Sequence, residues 1–287
     1  MRFSSILFPV DFSERCNAVA PQVKAVRDRF QASLTLLHVV HIPVTAYGAI
    51  EAPVFYDFAL DELKESAQQR LSEFAASAFP GIDVRTMVDH GEAGSSVAEM
   101  ASTQNIDLIM MPTRGHGRFR RALLGSVTAK TLHDATCAVW TDAHCEESGP
   151  AHLDWRSLVC AIDTGAEGER LIRAAAELAV ISPMTIHLAH AVPATDERVE
   201  LLAGSEFTAF LKDQARQTIA GMQRQAGTNF GVCVEAGGIT EVVHHAAVSH
   251  NADLVLIGRG LLQGFAGALR SHAYSIVRDM PCPVLSV

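Results

Sequence analysis

The feature that most constrains this chain is that it repeats itself. Ser5-Ile6-Leu7-Phe8-Pro9-Val10-Asp11 is matched by Ser157-Leu158-Val159-Cys160-Ala161-Ile162-Asp163, and Leu36-Leu37-His38-Val39-Val40 by Leu188-Ala189-His190-Ala191-Val192, both at an offset of 152. Further on, Ile106 to Met111 matches Ala252 to Ile257 at an offset of 146, and Cys137-Ala138-Val139 matches Cys282-Pro283-Val284 at 145. A duplicated unit with this order of segments implies two domains of one fold. The 287 residues suit two such domains. We expect the first over residues 1–142 and the second over 155–287, joined by the charged segment 143–154 with Gly149-Pro150 at its centre.

Inside the first copy, apolar runs alternate with amphipathic stretches. Strands are predicted at Ile6–Val10, Leu34–Val40, Asp83–Val88, Asp107–Met111 and Ala138–Thr141. Helices are predicted at Asn17–Phe30, Phe58–Phe79, Ser95–Thr103 and Ser126–Asp134, with Ser13 as a cap and Pro21 fitting an early helical turn. Leu60, Leu63, Ala67, Leu71 and Phe74 form the buried stripe of the second helix, and His41–Asp57 reads as an irregular excursion. Alternating strands and helices imply a parallel sheet covered on both faces. Ligands of such sheets sit at the carboxyl ends of the strands, where the strand order reverses.

Two stretches meet at that crevice. One is Pro9-Val10-Asp11. The other is Met111-Pro112-Thr113-Arg114-Gly115, followed after nine residues by Gly125-Ser126-Val127-Thr128. The second has the makings of a phosphate cradle. Gly115 and Gly125 admit backbone close to an anion. Ser126 and Thr128 bring hydroxyls and backbone N–H groups to a helix N-terminus, and Arg114 adds a charged donor. Asp11 is placed to accept from an adenine amino group or a ribose hydroxyl.

These residues resemble the universal stress protein family, whose signature is Gly, two residues, Gly, nine residues, Gly, then Ser or Thr. The chain keeps Gly115, nine residues, Gly125 and Ser126, and Pro9-Val10-Asp11-Phe12-Ser13 and Leu37-His38-Val39-Val40 are also similar to the family. The resemblance covers both halves. It implies two tandem Rossmann-like, adenine nucleotide alpha hydrolase-like α/β domains, each a five-stranded parallel sheet of order 3-2-1-4-5. It also implies ATP or AMP as ligand, with Mg a candidate companion. On it, Asp11 and backbone near Val40 would hold adenine and ribose. Gly115, Gly125, Ser126, Val127 and Thr128 would hold phosphates, beside Pro9, Val10, Met111, Pro112 and Arg114.

Pro112 stands where the signature has its first glycine. If that position needs positive φ or donates an N–H, binding weakens; if it only lines the cleft, little changes. The second copy departs further. Gly260 aligns with Gly115, Ser271 with Ser126 and Arg270 with Gly125, while Gly258 lies one shortened loop earlier and Asp163 matches Asp11. Arg270 either fills the pocket or binds an anion itself. Loss of ATP binding is the expectation there, with adenosine or another ligand left open.

Other signals point to structure. His187 and His190 lie three apart on a strand and face opposite ways, no histidine falls in a metal-ligating spacing, and no metal site is expected. Asp107 and Asp253 each precede an apolar strand and read as caps of the turn into it. A net charge of −9 argues against nucleic acid or an anionic membrane as partner, despite a local patch at Arg114, Arg118, Arg120 and Arg121. Six cysteines without a CxxC suit reduced thiols in the cytoplasm. There is no Walker A lysine, no GxGxxG and no kinase signature, so binding is favoured over catalysis, with Asp11 and His116 the bases within reach of a slow ATPase or phosphotransferase. Two readings stand beside nucleotide binding: that enzyme, and an interaction protein that binds no nucleotide. The repeats are expected to pair within the chain through their last strands, and a homodimer is left open.

Overall fold

The computed structural model describes residues 1–41, 53–115, 124–145, 155–194, 197–258 and 267–287, and in them all side chains except those of 53–59, 197–205 and 267–271. The chain forms two compact units, one built on Phe3–Trp140 and the other on Ala151–Val287.

The first unit runs β1 (Ser5–Pro9), α1 (Glu14–Phe30), β2 (Ser33–Val40), α2 (Pro53–Ala78), β3 (Val84–His90), α3 (Ala93–Thr103), β4 (Leu108–Pro112), α4 (Ser126–Asp134) and β5 (Ala138–Asp142). Its strands lie in the order β3-β2-β1-β4-β5, the expected 3-2-1-4-5. β1 pairs in parallel with β2 (Ser5↔Ser33) and with β4 (Ile6↔Leu108). All five residues of β4 and the middle three of β1 are buried. A strand covered by helices on both faces needs such an unbroken apolar run. Phe8, Phe74 and Phe79 meet in one cluster at centroid distances of 6.3–6.4 Å, packing β1 under α2.

The second unit repeats this as β6 (Ser157–Ala161), α5 (Ala166–Ile181), β7 (Thr185–Val192), α6 (Glu197–Ala226), β8 (Gly231–Ala236), α7 (Ile239–Ser249), β9 (Leu254–Ile257), α8 (Gly267–Asp279) and β10 (Val284–Ser286). Its order is β8-β7-β6-β9-β10. The register repeats as well: Ser157↔Thr185 lies 152 residues beyond Ser5↔Ser33. Among the described residues, no helix is long and apolar enough to cross a membrane.

Several expectations shift. Ser13 does cap α1, accepting from Cys16 N, but the helix starts at Glu14, so Pro21 lies well inside it rather than in its first turn. Pro21 and Asn17, whose carbonyl loses its usual i+4 donor, are both exposed, so water can take the lost bond. α2 begins at Pro53, not Phe58, which moves Pro53–Asp57 out of the irregular excursion. Proline suits this first helical position, where its missing N–H has no intrahelical partner to lose. Residues 42–52 lie outside the described residues. Leu60, Ala67 and Leu71 are buried as expected of the stripe, but Leu63 is 51% exposed, since the helix turns that position to solvent.

The two aspartates, read as caps of the turn into the strand that each precedes, instead bond the residues that enter the neighbouring central strand. Asp107 Oδ2 accepts from Ser4 N (2.8 Å) and Ser4 Oγ (2.5 Å), and Asp253 Oδ2 accepts from Arg156 N (2.7 Å) and Ser157 N (2.9 Å). Each carboxylate ties down the residues that enter the central strand. His38 and His190 are equally matched: each Nδ1 lies 2.7 or 2.9 Å from the carbonyl of Val10 or Ile162. A carbonyl only accepts, so each ring holds its proton on Nδ1 and serves the bend after the first strand.

Candidate functional site

The first repeat's strand order reverses at β1: the chain leaves it toward β2 on one side and returns to β4 on the other. A cavity of about 460 Å³ opens at the carboxyl ends of these strands, within the range of small-ligand sites.

Each wall follows from its element. From the end of β1 come Pro9, Val10 and Asp11. Val10 N donates to Leu37 O (2.8 Å), holding the exit of β1 against β2. The chain then turns at Phe12, whose φ of +61° a non-glycine residue adopts only when held. His38 lies 4.6 Å from the Phe12 ring and the Arg70 guanidinium 4.2 Å above it. Beyond the turn, Asp11 Oδ1 accepts from Ser13 N (2.9 Å) and from the Cys16 thiol (3.0 Å). Burial, and then the nearby Asp11 charge, push the Cys16 thiol up to about 12. Cys16 is therefore a neutral donor that helps fix the carboxylate.

The opposite wall comes from β4 and α4. Met111, Pro112, Arg114 and Gly115 line it before residues 116–123, which lie outside the described residues, and Leu124, Gly125, Ser126, Val127 and Thr128 line it after them. Gly125 N donates to Thr113 O (2.9 Å) and the buried Thr128 Oγ1 to Pro112 O (3.2 Å), so the base of the loop is closed by two bonds. Both glycines are closely approached. A Cβ on Gly115 would overlap Asp11 Oδ2, and one on Gly125 would lie 3.1 Å from Thr113 O. Pro112 is the last residue of β4, in extended backbone that proline adopts without strain, and its carbonyl is used by Thr128. Of the two consequences set out for this position, positive φ does not arise.

α4 starts at Ser126 with Gly125 as its N-cap and no side-chain cap bond. Its first N–H groups therefore have no capping side chain, and Ser126, Val127 and Thr128 line the cavity, an arrangement suited to an anion. The third wall, Ala93 and Val97 of α3, is set by Gly94: its Cβ would lie 2.5 Å from Lys130 Cβ, so only glycine lets α3 approach α4 this closely.

Eleven of the twelve residues read from the sequence thus surround one cavity. The exception is Val40, which does not line it. Its carbonyl accepts from Gly91 N (3.0 Å), and Leu37, His38 and Val39 form that wall instead. Cys16, Ala93, Val97 and Leu124 were not anticipated. Cys16 had one signal, its place one turn along the helix after Asp11; the α3 residues had none, because no local spacing ties them to β1.

The second repeat differs in detail. Asp163 is exposed, and its Oδ1 accepts from Gly165 N (3.0 Å) and Gly168 N (2.9 Å) at the start of α5. Gly168 occupies the place of Cys16. A Cβ on Gly258 would overlap Glu167 Oε1. Gly260 and the side chains of Arg270 and Ser271 lie outside the described residues, as do Arg118, Arg120, Arg121 and His116. Among the described residues no group of three His, Cys, Asp or Glu side chains could hold a metal ion.

Comparison with known proteins agrees with this geometry. The universal stress protein family matches the chain twice, over residues 2–141 and 154–287. Universal stress protein A homolog 1 of Coxiella burnetii is 34% identical over 146 residues, 49% of this chain and 98% of that protein. A universal stress protein from Archaeoglobus fulgidus superposes with a TM-score of 0.69 at 20% identity, covering 100% of this chain and 98% of the other. A protein of unknown function from Pseudomonas aeruginosa superposes with a TM-score of 0.67 at 16% identity, covering 99% and 92%. At such identities the structural likeness is one of fold. The family match spans both repeats, and the chain belongs to the universal stress protein family as a tandem of two of its domains.

Proposed function

We propose that the first repeat binds an adenine nucleotide, ATP or AMP, and that the protein is regulatory, a stress-response component acting through that binding rather than through turnover. The observation that carries this reading is the meeting of Asp11, Gly115, Gly125 and the uncapped start of α4 around one cavity. The apolar walls of Val10, Leu37, Val39, Val97 and Met111 suit a flat base, and Asp11 suits its amino group or the ribose. The glycines and the helix N-terminus suit phosphates. Asp11 already accepts from Ser13 N and Cys16, which makes it a binding group rather than a proton carrier. The second cleft, with Glu167 against Gly258, is read as one that has given up ATP.

Thermal unfolding with ATP, AMP and no ligand tests the proposal. At ligand a hundredfold above its dissociation constant, stabilisation of about 2.7 kcal/mol is expected. Gly125→Arg, which copies Arg270 into the first repeat, should abolish it. Absence of any shift at millimolar nucleotide overturns the proposal, as does undiminished affinity in the arginine variant.

A further inference from the structure

One pair of equivalent positions carries opposite charge against the same part of both clefts. Arg15 lies on the first turn of α1, and its Nη1 donates to Gly115 O (3.1 Å), the residue from which the chain enters the loop toward Gly125. The offset of 152 that relates β1 to β6 makes Glu167 its counterpart. Glu167 also lies on the first turn of its helix, and its carboxylate packs against Gly258, just past the end of β9. It is held there: Arg170 Nε donates to Oε2 (3.0 Å) and Arg170 Nη2 to Oε1 (2.5 Å), while Arg170 Nη2 also donates to Val287 O (3.0 Å). In each repeat this helix residue touches the segment that leaves the fourth strand. In the first it brings a cation, in the second an anion.

A unit charge near developing phosphate contacts acts through space, and its effect grows with the charge of the ligand. A loop contact alone would be lost equally in a neutral and an acidic replacement of Arg15, whereas a charge effect is larger for the acidic one. We propose, on top of the nucleotide-binding reading, that residue 15 is a specificity-determining position for phosphate: Arg15 selects the more highly phosphorylated nucleotide in the first cleft, whereas its counterpart Glu167 is a carboxylate already paired with Arg170. Arg15 is not in the cavity wall and not in the family's signature. Its role is to set the field at the entrance of the phosphate loop and to hold Gly115 in place.

The experiment is calorimetric titration of the full chain with adenosine, AMP and ATP, for the parent protein, Arg15→Glu and Arg15→Gln. Arg15→Glu should weaken ATP by about 30-fold or more, AMP by several-fold, and adenosine by less than about twofold, in keeping with Coulombic scaling. Arg15→Gln should show the same ranking at smaller size. Retained adenosine affinity reports that the cleft is folded. Equal loss of ATP affinity in the two variants, or no loss for ATP, overturns the inference, because the residue then acts only as a loop support or not at all. If the parent binds none of the three ligands, the nucleotide-binding reading itself has failed, an outcome distinct from a parent that binds ATP while its variants show no ranking.

Discussion

Gly115→Ala probes the cleft at its tightest described contact. A Cβ at this position would overlap Asp11 Oδ2. The carboxylate cannot swing aside freely, because Oδ1 accepts from Ser13 N at 2.9 Å and from the Cys16 thiol at 3.0 Å, and Cys16 is 1% exposed. Either the Asp11 bonds stretch or the start of the loop moves away. Losing one hydrogen bond to a charged group costs about 1.5–3 kcal/mol, and overpacking costs about 1–3 kcal/mol. The two are alternatives rather than additive, so about 2 kcal/mol is expected. In a domain of this size that lowers the midpoint of thermal unfolding by roughly 6–8 °C. The two units need not unfold together, so the first should be followed by itself. Trp140 serves: it is buried and its indole N–H donates to Gln22 Oε1 at 3.0 Å. With Trp155 replaced by phenylalanine in parent and variant, fluorescence reports the first repeat alone. Nucleotide affinity should fall about tenfold in parallel, the equivalent of one displaced charge-assisted bond. A midpoint within about 1 °C of the parent, together with unchanged affinity, would refute the contact as a constraint on Asp11.

Two further outcomes follow from the same wall. Thr128→Val keeps the shape but removes the bond to Pro112 O, and should cost about 1–2 kcal/mol in urea unfolding of the first repeat. Thr128→Ser should recover most of it, and a valine variant as stable as the parent would show that the bond does not close the loop base. The third outcome concerns alkaline pH. Burial holds the Cys16 and Cys282 thiols near 12 in the folded chain, against an ordinary value of 9.0. Their folded values are raised, so the stability they contribute is complete below pH 9 and is lost as pH climbs from there toward 12, by up to about 1.4 kcal/mol per pH unit and thiol. Cys16→Ala should flatten that decline in the first repeat and leave it in the second; an unchanged slope contradicts it.

What could be read from the sequence was whatever local pattern determines. The strands were visible as apolar runs because β4, β6 and β9 are buried along their whole length. The strand order came with the family resemblance, and the registers of the two sheets turned out to repeat at the same offset of 152. The loop glycines were visible by spacing, but the reason for Gly115 was not. Its neighbour is Asp11, about a hundred positions away, and only the fold brings them together. Helix starts were misplaced where a proline has two meanings. Pro53 opens α2, whereas Pro21 sits within α1, because exposure to water decides whether a lost backbone bond matters. Val40 was chosen one residue too far along β2. Side chains alternate along a strand, so a shift of one residue changes the wall, and here Val39 faces the cavity while Val40 O bonds Gly91 N.

The duplication separates what the fold needs from what the first cleft needs. Both copies keep the aspartate that ties down the entrance to the central strand, the histidine that bonds the carbonyl after it, and the acid at the end of that strand. The first two are shared although the clefts differ, so they belong to the fold. The exchanges between copies fall together in space. Arg15 becomes Glu167 and Cys16 becomes Gly168, on the first turn of one helix, and Gly125 becomes Arg270 at the start of another. With Cys16 gone, Asp163 turns its oxygen to the backbone of its own helix, accepting from Gly168 N. An aspartate engaged in capping has less to offer a ligand than one fixed from the side by a buried thiol. Asp11 and Asp163 are therefore one residue type at one position with two different duties. What distinguishes them is the residue five places on and the charge four places on, beside the exchange of Gly125 for Arg270 in the loop.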